Sequence, residues 1–161
     1  ADLLTYMNFN VIAWTRTPKP DAPIEVFHGT GGFAPFLERS EITVCMLPLT
    51  SETEGILNAD AFARMPTGAA IINLGRGAHV IDADLIAALD QDHLAAATLD
   101  VTSPEPLPPE SPLWDHPKVT IMPHVARRPN ISDSLPLIVE NIRRLEAGEP
   151  LLQFVDRDAG Y

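Results

Sequence analysis

Ala69-Ala70-Ile71-Ile72-Asn73-Leu74-Gly75-Arg76-Gly77 is an apolar run that ends abruptly in an arginine between two glycines. A short continuous apolar stretch bounded by turn residues reads as a strand buried on both faces, the kind that parallel sheets contain. We read the strand over 69–74. Outward from it the pattern repeats. Ile42 to Met46 is a second apolar run, stopped by Pro48, and is also expected to be buried on both faces. Ala95 to Leu99 and Val119 to Met122 supply two more strands, and Asn10 to Trp14 an earlier one. Between them lie amphipathic runs. Gly32 to Arg39 places Phe33, Phe36 and Leu37 at helical spacing. Asn58 is placed to cap a helix through Arg64, and Asp82 one through Leu89, with Leu85, Ile86 and Leu89 on one face. Ser132 to Gly148 closes as a helix stopped by Gly148 and Pro150, and Ala1 to Met7 reads as the last turns of another. Strands alternating with helices predict an α/β fold with a parallel sheet and right-handed crossovers. Ligands of such sheets bind beyond the carboxyl ends of the strands.

Composition bounds the function. Eleven basic residues stand against 22 acidic ones, a net charge of −11 that repels phosphate backbones and argues against nucleic acid. No run approaches the ~20 apolar residues of a membrane span. Cys45 is the only cysteine, so no internal disulfide framework exists; this fits a reducing compartment, and a cytoplasmic location is expected. No metal site is expected.

Three segments at predicted strand ends carry chemistry. Arg76 follows its strand at once, and its guanidinium offers a planar fork for a carboxylate. Taken alone, a surface arginine in a flexible turn explains it equally well. Asp100 ends the next strand, and Glu105 sits in a loop with five prolines between Pro104 and Pro112; alone, an acidic loop in an acidic protein is the simpler reading. His124, in Pro123-His124-Val125-Ala126, follows the last strand and is either a structural histidine or a proton donor titrating near neutral pH. Their common edge and their order, Arg then Glu then His, make the set more specific than any member.

The segments Ile72-Asn73-Leu74-Gly75-Arg76-Gly77, Leu99-Asp100-Val101 with Glu105-Pro106-Leu107, and Pro123-His124-Val125-Ala126 resemble the signatures of D-isomer-specific 2-hydroxyacid dehydrogenases. Within that family the proline-rich segment Glu105 to Trp114 and the terminal Val155 to Tyr161 are most similar to the bacterial glyoxylate/hydroxypyruvate reductase A group. The resemblance covers nearly the whole chain. It implies a Rossmann-like sheet with flanking helices, lacking its first strand and Gly-rich loop. It also implies a hydride transfer from a nicotinamide cofactor to a short 2-oxo acid. The residue matching Arg76 binds the substrate carboxylate and polarises its carbonyl. The one matching His124 gives the carbonyl oxygen a proton, and the one matching Glu105 hydrogen-bonds that histidine. A carboxylate beside an imidazole favours its protonated form. Asp100 matches the residue that holds the nicotinamide carboxamide, and Leu47-Pro48-Leu49-Thr50 the loop lining the adenine side. Leu74 and Gly75 are expected to touch the cofactor.

Cofactor choice is legible at the end of the Asn10 to Trp14 strand, the second of the complete dinucleotide fold. NAD-preferring folds place an acid there for the ribose 2′-hydroxyl. Here the residues are Trp14, Thr15, Arg16, Thr17, Pro18 and Lys19, with no acid. Arg16 is placed to pair with a 2′-phosphate, so NADPH is expected over NADH. The pattern departs from the family in one large respect: Gly29-Thr30-Gly31-Gly32 has the wrong spacing for Gly-x-Gly-x-x-Gly and reads as an ordinary turn. The chain opens as if inside a helix, so the phosphate loop and a substrate domain are expected upstream of residue 1. Residues 1–130 are then an incomplete dinucleotide-binding domain. Residues 131–161 are a helix and tail packing toward the substrate domain, with a homodimer expected for the full-length protein. Thr102, where the family often has an aromatic residue, and Arg127-Arg128-Pro129-Asn130 are smaller departures. Two other readings stay open: a dinucleotide-sensing, corepressor-like binding protein, and an inactive fragment of the dehydrogenase.

Overall fold

The computed structural model describes residues 1–126 and 130–155. The reading of the arginines at 127 and 128, and that of the terminal motif from 156 onward, lie outside the described residues. The chain is an α/β fold in which every strand pairing is parallel. It opens with a short helix α1 (Asp2–Tyr6), then β1 (Ile12–Thr15), β2 (Glu25–His28) and α2 (Gly29–Glu38). There follow β3 (Ile42–Cys45), α3 (Ala59–Arg64), β4 (Ala69–Asn73), a 3-10 turn at Gly77–His79, and α4 (Asp82–Asp90). The order ends with β5 (Leu94–Leu99), β6 (Val119–Ile121) and α5 (Ile131–Ala147). The strands form two sheets, β1-β2 and β3-β4-β5-β6.

The core lies against the four-stranded sheet. Ile71 of β4 and Leu94 and Leu99 of β5 pack with Phe62 of α3, Leu85 and Leu89 of α4, and Leu37 of α2. The expected cap holds at α3, and α5 has a cap that was not anticipated. Asn58 Oδ1 accepts the Ala61 N–H, and Asn130 Oδ1 accepts that of Ser132. Gly148, with φ +71°, ends α5 in the left-handed conformation that glycine tolerates best.

Four readings are corrected. The sequence reading missed β2, whose Glu25-Val26-Phe27-His28 is too short and too polar at its ends to stand out. Gly29 to Gly32 is not a turn but the first turn of α2, where Gly32 packs beneath Phe27; a Cβ there would meet the Phe27 Cβ at 3.3 Å. Asp82 is the first residue of α4 rather than its cap, which is Ile81. And β3 is not buried on both faces. Thr43 and Cys45 are buried, but Ile42 and Val44 are 53% and 37% exposed. Its run satisfies the sequence pattern for two-sided burial, yet β3 is an edge strand paired only with β4, with one face uncovered. The amphipathic α5 likewise has no buried residue; Ile131, Leu135, Ile138, Ile142 and Leu145 form an exposed apolar stripe.

Candidate active site

The predicted residues fall at the carboxyl ends of β1, β3, β4, β5 and β6 or on the loops that leave them, as parallel topology requires. Arg76 lies three residues beyond β4. Its side chain is exposed, with Nη1 donating to the Gly75 carbonyl at 2.7 Å. The loop beneath it is held by two buried polar residues that sequence reasoning missed. Asn73, 1% exposed, accepts the Gly75 N–H and donates from Nδ2 to the Arg76 carbonyl. His79, fully buried, accepts the Arg76 N–H on Nδ1 at 3.0 Å. The Arg76 backbone is therefore bonded on both its N–H and its C=O.

Gly77 then passes so close to the next loop that a Cβ would lie 2.0 Å from the Thr102 carbonyl carbon. Only glycine permits that approach. The contact ties the arginine loop to the segment running on to Glu105, in which the Ser103–Pro104 and Glu105–Pro106 bonds are cis. Glu105 Oε1 lies 2.8 Å from Nδ1 of His124, both side chains about half exposed. The pairing takes up Nδ1 and leaves Nε2 without a hydrogen-bond partner among the described residues. His124 has φ +52°, a backbone conformation a histidine seldom adopts unless its surroundings enforce it. The enforcement comes from Asp100, 4% exposed, whose two oxygens accept the N–H groups of Val125 and Ala126 at 2.8 and 2.9 Å. Sequence reading marked Asp100 for the cofactor; its grip on the histidine loop was not foreseen.

On the other wall, Trp14 Nε1 donates to the Gly29 carbonyl at 2.8 Å and the ring packs on Phe33. The Thr15 hydroxyl donates to the Thr17 carbonyl, closing the turn that carries the exposed Arg16. The Pro48 carbonyl accepts the Thr53 hydroxyl and faces His79 Nε2, while the Leu74 N–H donates to Cys45. Burial raises the Cys45 thiol pKa above its ordinary value, against a smaller lowering by the Leu47 N–H. A surface concavity of about 570 Å³ between α3 and α4 includes Thr67 and His93. These precede β4 and β5, so it opens at the opposite edge of the sheet from Arg76 and His124. Among the described residues no metal-ligating cluster occurs and no helix is long and apolar enough to cross a membrane.

An α/β chain with parallel sheets, bringing a carboxylate–imidazole pair and an arginine to its carboxyl edge, has the architecture of a dinucleotide-dependent dehydrogenase domain. The model of the D-isomer specific 2-hydroxyacid dehydrogenase NAD-binding domain matches residues 1–126, and the chain belongs to that family. It is 45% identical over its whole length to glyoxylate/hydroxypyruvate reductase A of Serratia proteamaculans, of which it covers 51%. Among solved structures it is similar to a D-isomer specific 2-hydroxyacid dehydrogenase of Xanthobacter autotrophicus in complex with NADPH and MES. The two share 50% identity at a TM-score of 0.94, over 98% of this chain and 65% of that one. It is also similar to an NADPH-dependent glyoxylate/hydroxypyruvate reductase of Sinorhizobium meliloti in complex with NADP and sulfate. There the identity is 38% and the TM-score 0.91, over all of this chain and 52% of that one. The chain spans about half the length of the reductases it matches.

Proposed function

We propose that the protein reduces a short 2-oxo acid, glyoxylate or hydroxypyruvate, to the 2-hydroxy acid at the expense of NADPH. The observation that carries the reading is the Glu105–His124 pair, which orients the imidazole and leaves Nε2 available at the sheet edge. When bound, the nicotinamide supplies the hydride. Arg76 receives the substrate carboxylate through its fork of N–H donors. His124 Nε2 delivers the proton that the reduced carbonyl oxygen requires, and Glu105 stabilises the imidazolium that precedes this transfer.

The donor set fits NADPH. Arg16 stands on a closed turn after β1 with no acid in the segment from Trp14 to Lys19, a suitable partner for a dianionic 2′-phosphate. Trp14, Thr15 and Thr17 shape that turn, while Leu47, Pro48, Leu74 and Gly75 line the neighbouring strand ends. A carboxylate oxygen has two lone pairs, so Asp100 retains capacity for the nicotinamide carboxamide beside its two backbone bonds. The NADPH and NADP complexes of the two similar proteins support the same choice. We place residues 1–130 in the dinucleotide-binding domain. The apolar stripe of α5 is suited to pack toward a substrate domain, with the full-length protein a cytoplasmic homodimer.

The test is NADPH oxidation by the protein with glyoxylate and with hydroxypyruvate, repeated with NADH. Turnover of either acid with NADPH favoured supports the reading. Tight NADPH binding without turnover of either acid would favour a dinucleotide sensor instead.

A further inference from the structure

We propose that His79 is a positioning residue for Arg76, acting as its Nε2–H tautomer to join the arginine loop to the Leu47–Pro48 loop. The proposal rests on the dehydrogenase reading, in which Arg76 receives the substrate carboxylate. His79 is fully buried and touches neither substrate nor cofactor in that reading. Its Nδ1 accepts the Arg76 N–H at 3.0 Å. A ring nitrogen that accepts a hydrogen bond carries no proton, so in the neutral ring the proton resides on Nε2. Nε2 faces the Pro48 carbonyl at 3.3 Å, where a donor is what the geometry calls for.

The ring is also wedged. A Cβ on Gly75 would lie 2.8 Å from Nδ1 and 2.9 Å from Cε1 of His79, and 3.1 Å from the Leu47 carbonyl oxygen. Gly75, the imidazole and the Leu47–Pro48 backbone thus fill one another's space. Asn73 fixes the opposite side of the same residue through the Arg76 carbonyl. The arginine side chain is exposed and long, so the point from which it reaches is set by these two buried anchors. Remove the Nδ1 acceptor and the Arg76 N–H loses its partner. The loop then relaxes, and the cost falls on anion binding.

The side chains that mimic each half of the imidazole separate the two bonds. His79→Asn retains an acceptor near Nδ1; His79→Gln reaches toward Nε2 but leaves the Arg76 N–H without its acceptor; His79→Leu removes both. The expected result is a rise of about tenfold in KM for glyoxylate in the Leu and Gln variants. Recovery to within about twofold is expected in the Asn variant, with kcat changing less, and NADPH affinity is expected to hold in the Gln variant. An equal rise in Asn and Leu, or a parallel loss of NADPH affinity in the Gln variant, which still reaches toward the Pro48 carbonyl, overturns the proposal. If the Leu variant does not fold, the Asn–Gln comparison decides alone. In the nitrogen-labelled wild-type protein, a scalar coupling across the N–H···N bond between Arg76 and His79 Nδ1 is expected; its absence overturns the proposal. Should the wild-type protein turn over no 2-oxo acid, the dehydrogenase reading fails. Titrating glyoxylate against the Arg76 side-chain Nε resonance then reads the same ordering of variants without turnover, and loss of that ordering overturns the role of His79.

Discussion

The two sheets are built to different standards. In the four-stranded sheet, β4 buries three of its five residues, and its outgoing loops are tied to their neighbours by Asn73, His79, Gly77 and Asp100. In the two-stranded sheet no residue of β1 or β2 is fully buried. It is held to α2 mainly by ring contacts, Trp14 on Phe33 and Phe27 on Phe36, and at its edge by the Glu25–Arg39 pair. The wall proposed to do chemistry is over-determined by buried polar anchors. The wall proposed to choose the cofactor is a lightly packed platform carrying exposed side chains. Proton transfer and carboxylate binding need groups held to a fraction of an ångström, whereas a phosphate contact from a long arginine tolerates more freedom.

The sharpest way to break this comparison is at His124. His124→Gln should lower turnover by about 10²- to 10⁴-fold, the usual worth of a positioned proton donor, with NADPH affinity retained; steady-state kinetics and cofactor titration check it. Unchanged turnover would end the proposed role. Next come paired glycine substitutions. Gly77→Ala drives a methyl into the Thr102 backbone and should cost about 1–3 kcal/mol or more. Gly31→Ala, inside α2 with nothing within 4 Å of its Cβ, should gain roughly 0.5–1 kcal/mol. Thermal melting of both variants measures the asymmetry directly, and similar shifts would mean that the two regions do not differ in tightness.

Arg16→Ala should raise KM for NADPH about tenfold, the scale of one charge-assisted contact, and leave the NADH value nearly unchanged. The smallest effect is expected at the exposed Glu25–Arg39 pair. The Arg39 hydrogen bonds hold the Glu25 carboxyl below its ordinary pKa, opposed by desolvation and aided by the Arg39 charge. A depressed carboxylate contributes stability that is present above its unfolded pKa and is lost as pH falls through the folded one. Melting of Glu25→Gln against the wild type should therefore differ slightly at neutral pH and converge in acid. A gap that widens on acidification would contradict the pairing.

Much of this was legible in the sequence. Apolar runs gave five of the six strands, and chain order at strand ends put the candidates Arg76, Glu105 and His124 on one edge. The physical reason is that a parallel sheet delivers residues after each strand to one edge, so position along the chain predicts position in space. What stayed hidden depends on partners distant in sequence. Asn73 and His79 look like polar punctuation around Arg76; their burial appears only when β3 and its loop are beside them. Asp100 is plainly placed in the sequence, but its acceptors face amides 25 and 26 residues away. For Ile42 and Val44, and for the stripe of α5, the pattern states that a residue is suited to burial. Whether a covering surface exists is a separate matter.

The grip of Asp100 has a consequence for redesign. It seizes two consecutive main-chain amides rather than any side chain, so this hold on the His124 loop needs no particular side chain at positions 125 and 126. Those two sites flank the proposed proton donor. Proline alone, which has no amide hydrogen to offer, removes an Asp100 bond outright, so a combinatorial library at 125 and 126 that omits it keeps both backbone bonds beside the proposed proton donor.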